Sequence, residues 1–303
     1  MSVTVNDAQL RKLVLPAFTG YSNPNYIARQ ILPVINVKEA HGQVAVFSAD
    51  VLRLIDSVVG ERGKAAEVNA GIGFENYDCA EHFKGYFVSR QLERQFDTPI
   101  SAAQHAAISV KESLLIEEER NLGLSLVYTA FGATERATPG TKWNVAGGDP
   151  VGDINVGIAR VRTLTGRNPN KMVVTPDVDL VLRDYVRASH SLAVYSGLPT
   201  DADMAKFFGV AIYLVADASY NSAIEGQTAV LANAFGTEMC WLMFVPENPN
   251  TMAPAFGYTI ALETLIETEV LKNPKGTNYL YTDSYQSKVL SYTAGYCLYN
   301  TLS

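Results

Sequence analysis

Leu164–Val178 reads L-T-G-R-N-P-N-K-M-V-V-T-P-D-V, a run that holds a helix stop, a tight turn, an apolar strand and a helix start. A glycine, a buried strand and a new helix also open many nucleotide-binding sites, so the placement of Gly166 decides between the two readings. A phosphate site needs its glycines between the strand and the next helix, where backbone N–H groups can face the anion. Gly166 lies before the strand. The stretch is therefore a corner in an alternating helix and strand module.

Outward from this corner the punctuation is regular. Upstream, Asp149 and Pro150 start a helix whose apolar stripe is Ile154, Ile158, Val161 and Leu164, with Gly166 as its stop. Downstream, Met172–Val174 is the strand, Thr175 the next N-cap, Pro176 the first helical residue, and Val178, Val181, Leu182 and Tyr185 the next apolar face. A further helix, capped at Thr200 or Asp201, runs to Phe208 and stops at Gly209 before the strand Val210–Ala216. Strands are expected at Thr228–Ala232 and Glu238–Val245. Thr259–Lys272 then turns at N-P-K-G, with Gly276 closing the turn, and returns as a long antiparallel hairpin.

Before the module, Thr98 and Pro99 open the longest helical pattern, carried by Ile100, Ala103, Ala107, Val110 and Leu114 and drifting through Leu115, Leu122 and Leu126 to Phe131. If continuous, it is a rod of roughly 50 Å, with Gly123 as a possible bend. Earlier still, Ile31–Phe47 reads as two extended segments about His41-Gly42, and Phe74–Val88 as another. Between them G-E-R-G-K-A-A-E-V-N-A-G-I-G, Gly60–Gly73, is a glycine-rich tip carrying Glu61, Arg62, Lys64 and Glu67. A two-stranded ribbon of this kind is marginal in water unless another surface covers it. Residues 1 to 30 read as an extended arm with at most a short helix.

The chain of 303 residues carries a formal charge of -7, which argues against a surface that neutralises nucleic-acid phosphates. Cys79, Cys240 and Cys297 are odd in number and widely spaced, fitting reduced thiols in a cytosolic setting and no zinc site. No apolar run near the N-terminus is long enough for a signal or membrane segment. The sequence has no Walker phosphate loop, nucleophile elbow or zincin pair. His41, His82, His105 and His190 fall in different elements and read as surface or turn residues. Glu117, Glu118 and Glu119 with Arg120 read as a solvated or intersubunit face of the long helix. Cys79 and Trp241 read as core, and Trp143 as a loop anchor. No catalytic, cofactor-binding or metal-binding set emerges, and the expectation is a protein that is not an enzyme.

The order of parts is more specific than any motif. Arm, ribbon with a glycine-rich tip, long helix, α/β module and closing hairpin together resemble the major capsid proteins of tailed bacteriophages, the HK97 fold. The phrases I-L-P-V-I-N-V, Y-D-C-A-E-H, D-P-V-G-D-I-N-V-G-I, L-T-G-R-N-P-N-K-M-V-V-T-P-D-V, A-K-F-F-G-V-A-I-Y-L-V and P-A-F-G-Y-T occur in the order such coat proteins show. The resemblance implies an α+β chain with an N-arm over 1–33, an extended loop with its supporting strands over 34–96 and a peripheral domain with a spine helix over 97–139. An axial domain over 140–256 and a peripheral-domain hairpin with a C-terminal return over 257–303 complete it. It further implies self-assembly into pentamers and hexamers of an icosahedral shell, with Glu61, Arg62, Lys64 and Glu67 meeting a neighbouring subunit. Packaged double-stranded DNA would be enclosed without specific binding, in a virion assembled in bacterial cytoplasm. Portal and decoration proteins are implied as partners, and the start at Met1 without a charged helical leader points to a separate scaffolding protein or none. An encapsulin-like nanocompartment shell is the alternative within the fold, and an α/β enzyme the alternative outside it.

Overall fold

The Leu164–Val178 corner folds as its punctuation dictates. In the computed structural model, which describes residues 23, 25–47, 54, 72–91, 102–189, 198–247 and 254–303, the chain order is α1 (Ala28–Ile31), β1 (Val34–Asn36), β2 (His41–Phe47), β3 (Ile72–Asp78), β4 (Ala80–Ser89) and α2 (Ala102–Ser125). There follow β5 (Arg136–Ala137), α3 (Pro150–Thr165), β6 (Lys171–Val174), α4 (Pro176–Ser189), α5 (Asp201–Phe208), β7 (Ile212–Val215), β8 (Ser219–Asn221) and β9 (Leu231–Asn233). The chain closes with β10 (Cys240–Met243), β11 (Gly257–Lys272), β12 (Lys275–Val289) and β13 (Gly295–Leu298). Thr98, Pro99, Ile100, His190 and the tip residues Glu61, Arg62, Lys64 and Glu67 lie outside the described residues, as does most of the arm.

In α3 the Asp149 carboxylate accepts the Gly152 N–H, and Gly166 ends the helix at φ 69°, a left-handed conformation that costs glycine nothing. Gly157 and Thr165 join Ile154 and Val161 on the buried face, while Leu164 is only half-buried. Thr200 and Asp203 form a reciprocal capping box on α5, which Gly209 closes. Thr175 departs from expectation. It precedes Pro176 and its carbonyl accepts the Asp179 N–H at 2.9 Å, but its hydroxyl sits 3.2 Å from Met239 N and 3.3 Å from Met239 O. That hydroxyl ties the end of β6 to the loop before β10 and leaves the helix start to others.

The five-stranded sheet runs β5-β13-β10-β6-β7. Only β6–β7 and β13–β5 are parallel, and the β6–β7 crossover passes through α4 and α5. Alternate residues of its central strands enter two cores. Met172, Val174, Cys240 and Leu242 pack with Ile154, Val178, Leu182 and Phe208 on the helical side. Val173, Trp241, Met243 and Cys297 pack on the other side with Ile31, Leu32, Leu122, Leu126, Phe131 and Phe256. A sheet buried on both faces explains why its strands read as continuous apolar runs rather than alternations.

The second sheet, β1-β11-β12-β4, is built on the long hairpin. The α2 helix covers one of its faces, with Ala106, Ala107, Val110 and Leu114 against Val88, Tyr279 and Tyr281. The helix ends at Ser125, short of the expected Phe131. Its end is fixed by Trp241 Nε1, which donates to the Leu126 carbonyl at 2.9 Å, and by the Tyr292 hydroxyl, which donates to the Ser125 carbonyl at 3.1 Å. Gly123 is a contact rather than a bend: a Cβ there would lie 2.2 Å from the Ala234 carbonyl oxygen. Gly276 likewise does not close the hairpin turn, which is Asn273-Pro274 between the paired Lys272 and Lys275; Gly276 pairs with Leu271 inside the ladder.

The ribbon β2–β3 keeps register from His41↔Asp78 to Phe47↔Ile72, so His41-Gly42 lies within a strand, and the break between extended segments falls at residues 37–40. The expected strand at Thr228–Ala232 is reduced to β9, which pairs with β8 in a small hairpin that the sequence reading did not contain. Cys79 and Trp241 are buried, as their neighbours suggested, whereas Phe83 is 58% exposed on the uncovered face of β4. Trp143 anchors its loop through Nε1 to Asp153 Oδ2 at 2.8 Å.

Candidate functional site

Glu118 and Glu119, expected on a solvated or intersubunit face, are 2% and 1% exposed. The reason is a short segment 90 residues upstream in sequence, Tyr26–Leu32, which lies against α2 and buries Ile27, Ala28, Ile31 and Leu32 in the central core. Its charged and polar contacts form a joint. Arg29 Nε donates to Glu118 at 2.9 Å and its Nη2 to Asp283 of β12 at 3.1 Å. Glu119 Oε1 accepts the Ala28 N–H at 2.6 Å. Two helical turns earlier, Glu112 Oε1 accepts from the Tyr26 hydroxyl at 2.5 Å and from Asn23 Nδ2 at 3.2 Å.

The opposite end of the segment is held from the five-stranded sheet. Lys171 of β6 is 3% exposed, and its ammonium donates to the carbonyls of Gln30 and Ile31, the latter at 3.2 Å. Buried carbonyls at a helix end need such a donor, because no intrahelical N–H reaches them. The segment thus bonds to α2, to the hairpin strand β12 and to the α/β module.

The electrostatics follow from burial. Desolvation pushes the Glu119 carboxyl up to about 7, with the neighbouring Glu118 charge adding to the rise and the backbone donors opposing it. Glu118 is also raised by burial, although Arg29 pulls it back. Lys171 is lowered by burial to about 8. Glu117, on the flank of the joint, is lowered: burial opposes its charge, but Lys84 and His82 outweigh it through hydrogen bonds. His82 stacks on Tyr285 with ring centroids 4.3 Å apart and bonds Glu117 at 3.0 Å, so it is a half-buried joint residue and not a surface one. His41 is exposed and pairs with Asp78 at 2.9 Å, and His105 lies edge-on to Tyr86.

This arrangement is mechanical. Among the described residues no cluster of His, Cys, Asp or Glu is arranged to hold a metal ion, and the carboxylates of the joint are engaged by internal donors. One signal in the sequence could have exposed it. Along α2 the buried positions Val110, Leu114, Leu122 and Leu126 leave a gap of eight residues that Glu118 fills, four after Leu114 and four before Leu122. A carboxylate inside an apolar stripe requires a buried partner.

No protein-family model matches the sequence. Over 308 aligned residues, covering 95% of this chain and 96% of the relative, it is 24% identical to the major capsid protein of Burkholderia phage BcepMu. A phage-related protein from Bordetella bronchiseptica RB50 superposes with a TM-score of 0.73 at 17% identity, covering 96% of both chains. A protein of Mycobacterium phage Adephagia gives 0.58 at 10% identity over 98% of both. The SrpI encapsulin of Synechococcus elongatus PCC 7942 gives 0.55 at 12% identity over 98% of this chain and 96% of that one. The order of parts, the fold and a relative that aligns from end to end agree: the chain has the HK97-type fold and is similar along its whole length to a phage major capsid protein.

Proposed function

We propose that the chain is the major capsid protein that self-assembles into the icosahedral head shell around the double-stranded DNA of a tailed bacteriophage. The observation that carries this reading is the end-to-end similarity to the BcepMu major capsid protein. Fold alone does not separate a phage head from a nanocompartment, since phage and encapsulin structures superpose about equally well. The sequence relative favours the phage head.

In this reading residues 1–33 form the N-arm, 34–96 the extended loop and its strands, 97–139 the peripheral domain with α2 as spine, 140–256 the axial domain, and 257–303 the hairpin and C-terminal return. The tip residues Glu61, Arg62, Lys64 and Glu67 contact a neighbouring subunit. Subunits meet as pentamers and hexamers, where many weak, repeated contacts close a strong shell. The charge of -7 suits a container that encloses DNA without gripping it. A scaffolding protein, a portal and decoration proteins are the expected partners, assembly takes place in the bacterial cytoplasm, and the protein catalyses no reaction.

Electron microscopy of concentrated protein, with and without the scaffold co-expressed, tests the reading. Rings, capsomers or shells are expected. A chain that stays monomeric under every condition overturns it, and shells enclosing a co-expressed enzyme rather than DNA favour the nanocompartment.

A further inference from the structure

We infer that docking of Tyr26–Leu32 onto α2 is coupled to uptake of a proton by Glu119, so that the segment is held more tightly as pH falls and loosens as pH rises. The geometry is asymmetric. Glu119 is 1% exposed; its Oε1 receives the Ala28 N–H at 2.6 Å, while its Oε2 is buried and has no hydrogen-bond partner among the described residues. A carboxylate in that position loses more to burial than the Ala28 and Ile27 N–H groups return to it, so its charge is costly. A proton on Oε2 removes the charge and leaves Oε1 free to accept from Ala28. The contact survives protonation, and only the desolvation cost disappears.

The surrounding charges do not supply a substitute. On its own helix the ionisable neighbours are Glu112, Glu117, Glu118 and Arg120, with Lys111, next to Glu112, turned to the charges of Arg29, Asp283 and Glu118. From the docked segment come Tyr26 and Arg29, from the hairpin strand Asp283 and Tyr285, from β4 His82 and Lys84, and from β6 Lys171. Arg29 is turned to Glu118 and Asp283, His82 and Lys84 to Glu117, Lys171 to the far end of α1, and Arg120 to the ring of Tyr220. The Glu118 charge beside Glu119 raises its proton affinity further.

The sign follows from linkage. The docked carboxyl titrates at about 7 and the free one at its ordinary 4.5, so the docked form binds more protons between those values. Docking is then most favoured in acid and loses that advantage as pH rises through about 7. Lys171 titrates at about 8 when docked, so it acts mainly above the window in which Glu119 does. Between pH 5.5 and 7.5 the docking equilibrium should weaken by about twentyfold.

Hydrogen–deuterium exchange of the full-length unassembled chain, corrected for the intrinsic rate at each pH, reads this in the peptide spanning residues 26–32. In the wild type, protection there should fall about twentyfold from pH 5.5 to 7.5, while the β10 strand is unchanged. Glu119→Gln should hold that peptide protected at both pH values. Protection that is independent of pH in the wild type, or the same pH dependence in Glu119→Gln, overturns the inference. If the variant does not fold, carboxyl carbon-13 titration of the wild type decides: one glutamate with a midpoint near 7 supports the proposal, and titration of every glutamate in the ordinary acid range overturns it.

Discussion

Glu119 and Lys171 grip opposite ends of one helical turn. The carboxylate receives the first N–H of α1 at Ala28, and the ammonium donates to its last carbonyls at Gln30 and Ile31. An acceptor at the N-terminus and a donor at the C-terminus match the free backbone groups of the turn. A four-residue helix has little stability of its own, so its order is imposed by these two side chains and by Ile31 and Leu32 in the core.

Lys171→Met retains the aliphatic stem and removes the donor, leaving the Gln30 and Ile31 carbonyls without it. The expected loss is about 2 kcal/mol of unfolding free energy, from the cost of unsatisfied buried acceptors, read as a lower urea midpoint at pH 7. The amine is lowered to about 8 by burial, so the wild type sheds its desolvation cost as pH rises beyond that value, and the deficit of the variant widens between pH 8 and 10. An unchanged midpoint at both pH values would mean that the ammonium does not hold the helix end.

Gly123→Ala sets two effects against each other. In a helix interior alanine gains about 1 kcal/mol over glycine. Here the new Cβ would meet the Ala234 carbonyl oxygen at 2.2 Å and its carbon at 2.9 Å, and these are backbone atoms that cannot rotate away. Overpacking of that kind costs about 1 to 3 kcal/mol and should win. Equilibrium denaturation showing a more stable variant would mean that the α2–β9 approach is looser than this geometry.

The legible and illegible parts of this chain divide by range. Asp149, Gly166, Thr200 and Gly209 act within their own turn, so their roles stand in the sequence. Glu118 and Glu119 depend on Arg29 and Ala28, which are distant in the chain, and on Asp283, more distant still, so a local reading of the charged triplet as a solvated or intersubunit face misses the burial of these two, while Glu117 stays partly exposed. Thr175 shows the same limit at shorter reach: its position before Pro176 was readable, but the preference of its hydroxyl for Met239 was not. The hairpin β8–β9 escaped notice because three-residue strands leave no period to detect. The fold and the resemblance to coat proteins, by contrast, are carried by the succession of elements, which no single contact determines.

The three thiols offer a test of the cores. Cys240 and Cys297 sit on adjacent strands, but Cys240 faces the helical side of the sheet and Cys297 the other, so they cannot pair. Burial raises Cys297 to about 12 and Cys240 further, and burial with the nearby Asp78 charge raises Cys79. A thiol reagent at pH 8 should modify none of the three in the native chain within minutes and all three in denaturant, because the thiolate is the nucleophile. Rapid native reaction at Cys240 or Cys297 would show that the sheet opens on that timescale.

Removal of Glu61–Gly71 separates folding from assembly. The stretch is rich in glycine and charge, with Glu61, Arg62, Lys64 and Glu67 among its residues, while the described ribbon contributes Val44, Tyr77 and Cys79 to a small cluster with Ile260 and the larger described cores draw on other elements. The deletion should therefore leave the monomer folded, with unchanged circular dichroism and a denaturation midpoint within experimental error of the parent. A two-stranded ribbon is marginal unless covered, and in a shell a neighbouring subunit supplies the cover. Without its tip charges the subunit should form at most open clusters, seen as loss of closed shells by electron microscopy under conditions where the parent assembles. Unfolding on deletion would place the tip in the core, and normal shells from the deleted chain would remove Glu61, Arg62, Lys64 and Glu67 from the contact altogether.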